Sequence, residues 1–448
     1  MVTSPPRRTR PRRPAALGRS VGHVDHLPSG PTSGERRHGS GVPETSPVFT
    51  RVEDVPRVLP LNRTPPPGPR AAEFFAGIGL VRLGLEDAGF TVPWSNDIEP
   101  DKHLMYTNHF QDDPLTHTYA LGDVAEIGAA DLPTGLDLAW ASFPCTDLSL
   151  AGRRLGLVGK QSATFWHFTR ILDELGAARP SVVALENVNG LATSHGGKDL
   201  VAAVSELNRL GYSVDILTID ARRFVPQSRQ RLFLIGAQDP PQEQMDPAGE
   251  DPLRPDWLRW VFDSPGLRTH RAVLPAPPEP LQRGLAGAIE KLPPEDPRWW
   301  DEQRMDALVD SLSPLQAERI EVLRRRRTVT YRTAYRRTRY GVAVWEIRSD
   351  EIAGCLRTAR GGSSKQVVVE VGKGRIRARW MTPREYGNLM GAPRYKIAGL
   401  RTNQALFGFG DAVCVPVVGW LGTHYLMPLV NGELGSDTYG VGWEAAHG

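Results

Sequence analysis

From about residue 70 to residue 237 the chain alternates short apolar runs with amphipathic stretches, a rhythm that leaves few folds open. Runs at 71–75, 92–95, 136–141, 182–185, 213–219 and 231–235 have the length and character of buried strands. Helical patterns at 80–88, 164–175 and 200–210 fall between them. Strands alternating with helices predict an α/β fold built on a doubly wound, mostly parallel sheet. Such sheets collect ligands and chemistry at the carboxyl ends of their strands. The residues just beyond each apolar run are therefore the ones to read for function.

The flanking regions read differently. Residues 1–68 are rich in Pro, Arg, Ser and Gly and nearly lack periodic apolar residues, which predicts a disordered extension. Residues 238–375 begin with Pro-rich loops, carry helical patches at 281–292 and 303–323, and end in short β-like runs. They predict a second, smaller domain. Residues 376–430 return to compact apolar patterning and 431–448 form a tail. No apolar run looks long enough to span a bilayer, and the arginine-bearing N-terminus lacks the apolar segment of a secretory signal. Three scattered cysteines, Cys145, Cys355 and Cys414, suggest neither a disulfide framework nor a zinc site, and fit a reduced, cytosolic setting. The net charge of +3 hides an asymmetry: residues 1–50 hold eight arginines and three acids, so +5, which leaves −2 for the body. Overall charge thus gives no argument for nucleic acid, and only local clusters can.

Two groups of residues carry chemistry. Phe75, Gly77, Gly79 and Leu80 form a glycine loop between the first strand and its helix, Asp97 ends the second strand about 20 residues on, and Asp123, in Leu-Gly-Asp-Val, lies near the end of an expected strand ahead of the run at 136–141. Together they favour a nucleoside cofactor, with Asp97 on ribose hydroxyls and Asp123 near an adenine amine. A Walker-type Gly-Lys-Ser/Thr is absent. The second group begins with Cys145, which follows Pro144 beyond the apolar run 136–141. Glu186 follows another run, and Arg229 and Arg231 open the last. A thiol, a carboxyl group and two guanidiniums on one sheet edge suggest a reaction site.

In order, the chain carries FAGIGL, PCTDLS, ENV, QSRQR, RWMTPREYGNLMG and FGDAVCVPV. This ordered set resembles the DNA (cytosine-5)-methyltransferases over about 70–237 and 376–425. The resemblance implies a Rossmann-like class I methyltransferase fold, S-adenosylmethionine as methyl donor, and base flipping of duplex DNA. It makes Cys145 the nucleophile on cytosine carbon 6 and sets Glu186 on N3 and the exocyclic amine. Arg231 would then contact the base carbonyl, supported by Arg229. It places Phe75 on the adenine or methionine portion of the donor, with Gly77, Gly79 and Leu80 beside it. Asp97 and Asp123 keep the roles above, Pro144 lies by the methionine part, and Val413 forms the far wall.

The family carries target recognition between QSRQR and MTPRE. There this chain has Arg324, Arg325, Arg332, Arg336, Arg337 and Arg339 interleaved with tyrosines, an arrangement suited to phosphates and base edges. Gly361 to Lys365 suggest a second backbone-contacting loop. Two positions depart from the family pattern: Asp411 replaces a usual Asn and Asp97 a usual Glu. The expected partner is double-stranded DNA, with a restriction or defence system beside it and a monomeric, cytoplasmic enzyme. A tRNA substrate and a catalytically silent DNA-binding member remain as alternatives. No histidine or cysteine spacing suggests a metal.

Overall fold

The computed structural model describes residues 68–144, 164–241, 251–339, 341–357 and 365–434. Cys145, Tyr340, Gly361 to Ser364 and the expected N-terminal extension up to residue 67 lie outside them, as does the tail from 435.

Seven strands form the larger sheet: β1 (Arg70–Phe74), β2 (Thr91–Asp97), β3 (Thr118–Leu121), β4 (Leu138–Ala141), β5 (Val182–Asn187), β6 (Ser213–Asp220) and β7 (Gln230–Ala237). Their order is β3-β2-β1-β4-β5-β7-β6. All neighbours pair in parallel except β7, which runs antiparallel to both β5 and β6. The expected doubly wound α/β fold is present. β4 and β5 are buried at every residue, as a strand covered on both faces must be. Helices α1 (Leu80–Asp87) and α2 (Pro100–Phe110) follow β1 and β2.

The chain closes this domain late. The helix Val415–Leu421 packs on α1 so tightly that a Cβ on Gly84 would lie 2.5 Å from the Val418 Cβ and 2.9 Å from the Val415 carbonyl oxygen. Glycine is what allows two helix backbones to meet there. The stretch Thr402–Val430 corrects one expectation, because by length and composition alone it suffices to cross a membrane. Extended backbone at Ala412 and Cys414 divides it, and 67% of its most apolar window is buried inside the molecule. It is a core segment here.

Four antiparallel strands make the second sheet: β8 (Thr330–Arg339), β9 (Val342–Ile347), β10 (Val367–Gly372) and β11 (Arg375–Trp380), ordered β11-β10-β8-β9. It runs on to Trp380, beyond the boundary at residue 375 suggested by composition. Its own small core joins Leu308, Ile320 and Leu323 to Ala334, Val367, Val369 and Ala378. The patch 303–323 is two helices, Glu302–Asp310 and Pro314–Arg324, the second capped by Ser313 and opened by Pro314. The patch 281–292 is corrected more severely, since only Leu285–Ala288 is helical. Gly284 precedes that single turn at φ 135°, and two prolines follow at 293 and 294.

The seam between the sheets is polar and buried. Arg379 of β11 donates to Glu385 Oε2 at 2.8 Å, and both side chains are fully buried. Glu385 also accepts the backbone N–H groups of Thr382 and Glu290 at 2.8 Å. One carboxylate therefore caps the helix Pro383–Leu389 and ties it to the second sheet.

Candidate active site

The sheet order reverses between β1 and β4, so the carboxyl ends of those strands diverge and leave a crevice. Along this edge stand Asp123 beyond β3, Asp97 ending β2, Phe75 to Gly79 beyond β1, Pro144 beyond β4 and Glu186 near the end of β5. Because β7 is antiparallel, its first residues come to the same edge, with Leu232 opposite Asn187. This reversal is how arginines at a strand's start join acids at other strands' ends.

The glycine loop is held in an uncommon backbone path. Phe75, Gly77 and Gly79 have φ of 58°, 59° and 76°. For Phe75 this left-handed conformation costs about 1–2 kcal/mol, offset by neighbouring bonds. Ala76 N–H donates to the Asn96 carbonyl at 2.8 Å, and the Tyr119 hydroxyl donates to the Gly77 carbonyl at 3.1 Å. A Cβ on Gly79 would fall 2.5 Å from the Phe110 ring and 2.6 Å from the Tyr106 ring. Asp97 accepts Gly77 N–H on one oxygen and Glu99 N–H on the other, each at 2.9 Å. Asp123 is exposed and accepts Ala125 N–H at 3.0 Å. Phe75 is half-buried, Leu80 and Val413 are buried, and Pro144 is exposed. Beneath the loop Glu73 is buried with neither carboxyl oxygen hydrogen-bonded, and burial pushes its pKa up to about 8.

Glu186 and Arg231 form the polar centre. Arg231 Nε lies 2.7 Å from Glu186 Oε1. Burial raises the Glu186 pKa above the usual carboxylate range, opposed first by the Arg231 charge and then by Arg229. Arg229 does something else. Its guanidinium, buried in the protein, donates to Leu356 O at 2.9 Å and Ala412 O at 2.6 Å. It lies 3.4 Å from the thiol of Cys355. Burial alone would raise that thiol's pKa, but Arg229, Arg231 and Arg357 together lower it. Cys414, by contrast, is pushed up to about 12 by burial.

Three side chains at this edge carry no expectation from the sequence. Asn187 donates to Phe143 O at 3.1 Å and so holds the backbone leading to Pro144. Its signal was its place in the ENV triplet. Gln227, fully buried, donates to Leu389 O at 2.8 Å and accepts Leu356 N–H at 3.0 Å, joining two motifs to the segment around Cys355. Lys102 reaches Asp411 across the sequence, and nothing in the residue pattern signals it.

The basic residues of the second domain divide by environment. Arg336, Arg337 and Arg339 lie on the exposed outer half of β8, Arg336 over the Trp345 ring, while Arg337 and Arg339 reach Glu346 at 3.5 and 2.6 Å. Arg324 and Arg325 share Glu321. Arg332 is buried and paired with Glu351 at 3.3 Å, facing away from solvent. Lys365 donates to the Asn403 side chain at 2.7 Å. Among the described residues no cluster of three or more His, Cys, Asp or Glu could hold a metal ion.

The family model for the C-5 cytosine-specific DNA methylases matches residues 70–425. Type II methyltransferase M.HaeII of Haemophilus aegyptius is 32% identical over 171 residues, 38% of this chain and 51% of that protein. The match thus spans about half the length of that relative. Type II methyltransferase M.NgoBI of Neisseria gonorrhoeae is 29% identical over 239 residues, 50% of this chain and 72% of that protein. Among solved structures, the Entamoeba histolytica methyltransferase EhMeth superposes with a TM-score of 0.53 at 13% identity, covering 82% of this chain and 98% of its own. At that identity the likeness concerns the fold.

Proposed function

The chain belongs to the C-5 cytosine-specific DNA methylases, and from that premise we propose that it moves a methyl group from S-adenosylmethionine to carbon 5 of cytosine in duplex DNA, at a specific short sequence. The observation that carries this reading is the pair of buried Glu186 and half-buried Arg231 on the edge where the strand before Cys145 ends. The donor suits the residues present. A loop with three left-handed residues lets backbone approach a ligand closely, and Asp97 beside it offers carboxylate oxygens to a ribose diol. When bound, S-adenosylmethionine supplies an electrophilic methyl group.

The chain's residues supply the rest. Cys145, as thiolate, adds to carbon 6 of the flipped base and so makes carbon 5 nucleophilic. Glu186, whose burial shifts it toward the protonated form against the pull of Arg231, donates to N3 as electron density builds on the ring. Arg231 orients that carboxyl group and faces the base carbonyl, while Arg229 fixes the backbone around it. Water takes the carbon 5 proton, the thiolate leaves carbon 6 with the bonding pair, and N3 returns its proton to Glu186. Asp123, Pro144, Leu80 and Val413 complete the donor's surroundings in this reading. The exposed arginines of β8 grip the DNA. A monomeric enzyme acting on cytoplasmic DNA within a restriction or defence system fits, since both relatives are named type II methyltransferases.

Transfer of tritiated methyl from S-adenosylmethionine to duplex DNA is the expected result, and labelling of tRNA alone overturns the reading. A Cys145→Ala variant should transfer nothing. Unchanged activity there would refute the covalent mechanism.

A further inference from the structure

We propose that Lys102 is a positioning residue that latches Asp411 to Asp97, the carboxylate read above as the ribose-binding wall of the methyl-donor site. The inference rests on the donor-binding reading above. Lys102 Nζ lies 2.6 Å from Asp411 Oδ2 and 3.8 Å from Asp97 Oδ2. Its side chain is 11% exposed, so the ammonium is set into the protein rather than waving over it. The stem covers the glycine loop: a Cβ on Gly77 would meet Lys102 Cδ at 3.7 Å. Nζ also lies 5.6 Å from the centre of the Phe407 ring.

The charges explain why a lysine is tolerated there. Burial disfavours the ammonium, but Asp411 and then Asp97 outweigh it and hold the group charged. Both acids are positions where this chain departs from its family's usual residue. An amide at 411 would remove that ion pair, and Lys102 would then face Asp97 and the weaker field of Glu99. The turn that Asp411 occupies is also clasped from the other side, where Arg229 bonds the carbonyls of Gly410 and Ala412. Lys102 therefore sets the donor side of a turn whose opposite side belongs to the base-binding arginines.

The latch can be removed without parting the helices that carry it. Arg401 donates to Asp101 at 3.1 Å and Gln404 to the Asp101 carbonyl at 3.3 Å, so α2 and the helix Thr402–Asp411 stay joined. The test is calorimetric titration of the full chain with S-adenosylhomocysteine, for wild type, Lys102→Met, Lys102→Arg, Asp411→Asn and the Lys102→Met/Asp411→Asn double variant. Lys102→Met should weaken binding about tenfold, the scale of one charge-assisted hydrogen bond, and Lys102→Arg should restore most of it. The double variant should bind no more weakly than Lys102→Met, because the two residues act as one unit. In steady state KM for the donor should rise far more than kcat falls, and the ligand-free melting temperature should stay near that of wild type. Wild-type affinity in Lys102→Met, or fully additive single effects, overturns the latch while leaving the donor reading intact. A wild-type chain that does not bind overturns both.

Discussion

The two sheets solve opposite problems. In the seven-stranded sheet the central strands are buried on both faces, so side chains there have no freedom to choose partners, and function is confined to the strand ends. In the four-stranded sheet β8 is buried only in its first half, and Arg336, Arg337 and Arg339 project from the exposed half. The first sheet holds its polar groups by hydrogen bonds with fixed backbone: Asp97 accepts from an N–H, while Asn187 and Arg229 donate to carbonyls. On the outer half of β8 the second holds Arg337 and Arg339 by salt bridges to Glu346 at the surface, where each pair contributes little and can be exchanged for another partner. The proposed chemistry thus falls on the rigid edge, and the proposed contact with a long, variable ligand on the adaptable one.

The comparison can be broken at several points. The largest effect is expected at the seam. Glu385→Ala strands the buried Arg379 and should cost about 3–5 kcal/mol, read by chemical denaturation. If the two sheets were energetically independent, this loss would appear as a separate early transition of the second sheet. Next, Glu186→Gln should lower kcat about 10²-fold. Because the Glu186 pKa is raised and its protonated form donates, wild-type activity should fall as pH rises through that pKa. The amide keeps an N–H at every pH, so the variant's pH profile should lose that limb. An unaltered alkaline limb would remove Glu186 from the proton's path.

A smaller effect concerns Glu73 under the rigid edge. Its folded pKa is raised to about 8, so the folded chain holds a proton that the unfolded chain releases. Its stabilising contribution is complete below the ordinary carboxylate pKa and is lost as pH rises through about 8. The slope should approach about 1.4 kcal/mol per pH unit, and Glu73→Gln should flatten it. Smallest of all, Arg337→Ala on the adaptable sheet should weaken DNA binding alike across sequences and reduce the salt dependence by about one counterion. A sequence-dependent loss, seen by titrating several duplexes, would instead give this arginine a base contact.

The same contrast governs what could be read from residues alone. Six of the seven large-sheet strands were legible because buried strands are continuous apolar runs. β3 was not so marked: it lies on the sheet edge with no buried residue, and its four residues form no apolar stretch. The patch 281–292 misled because leucines and alanines suggest a helix, whereas two glycines and the prolines after it allow a single turn. At the site, Glu186 and Arg231 were legible from their places at strand ends. The division of labour between Arg229 and Arg231 was not, because it depends on which carbonyls of Leu356 and Ala412 fold back to meet one guanidinium. Lys102 was invisible for the same reason: its partner is 309 residues away. Among the recognition arginines, charge alone could not separate buried Arg332 from its exposed neighbours on the same strand.

The contact between Gly84 and Val418 bears on how the protein is made. A ribosome delivers α1 early, but the helix that covers its glycine face arrives only near residue 415. Throughout that interval an apolar surface of the nascent domain stands open, and any chain released before Val415 keeps it open for good. Synthesis of this protein therefore carries a window of aggregation that a chaperone, or a separately supplied closing segment, would shorten.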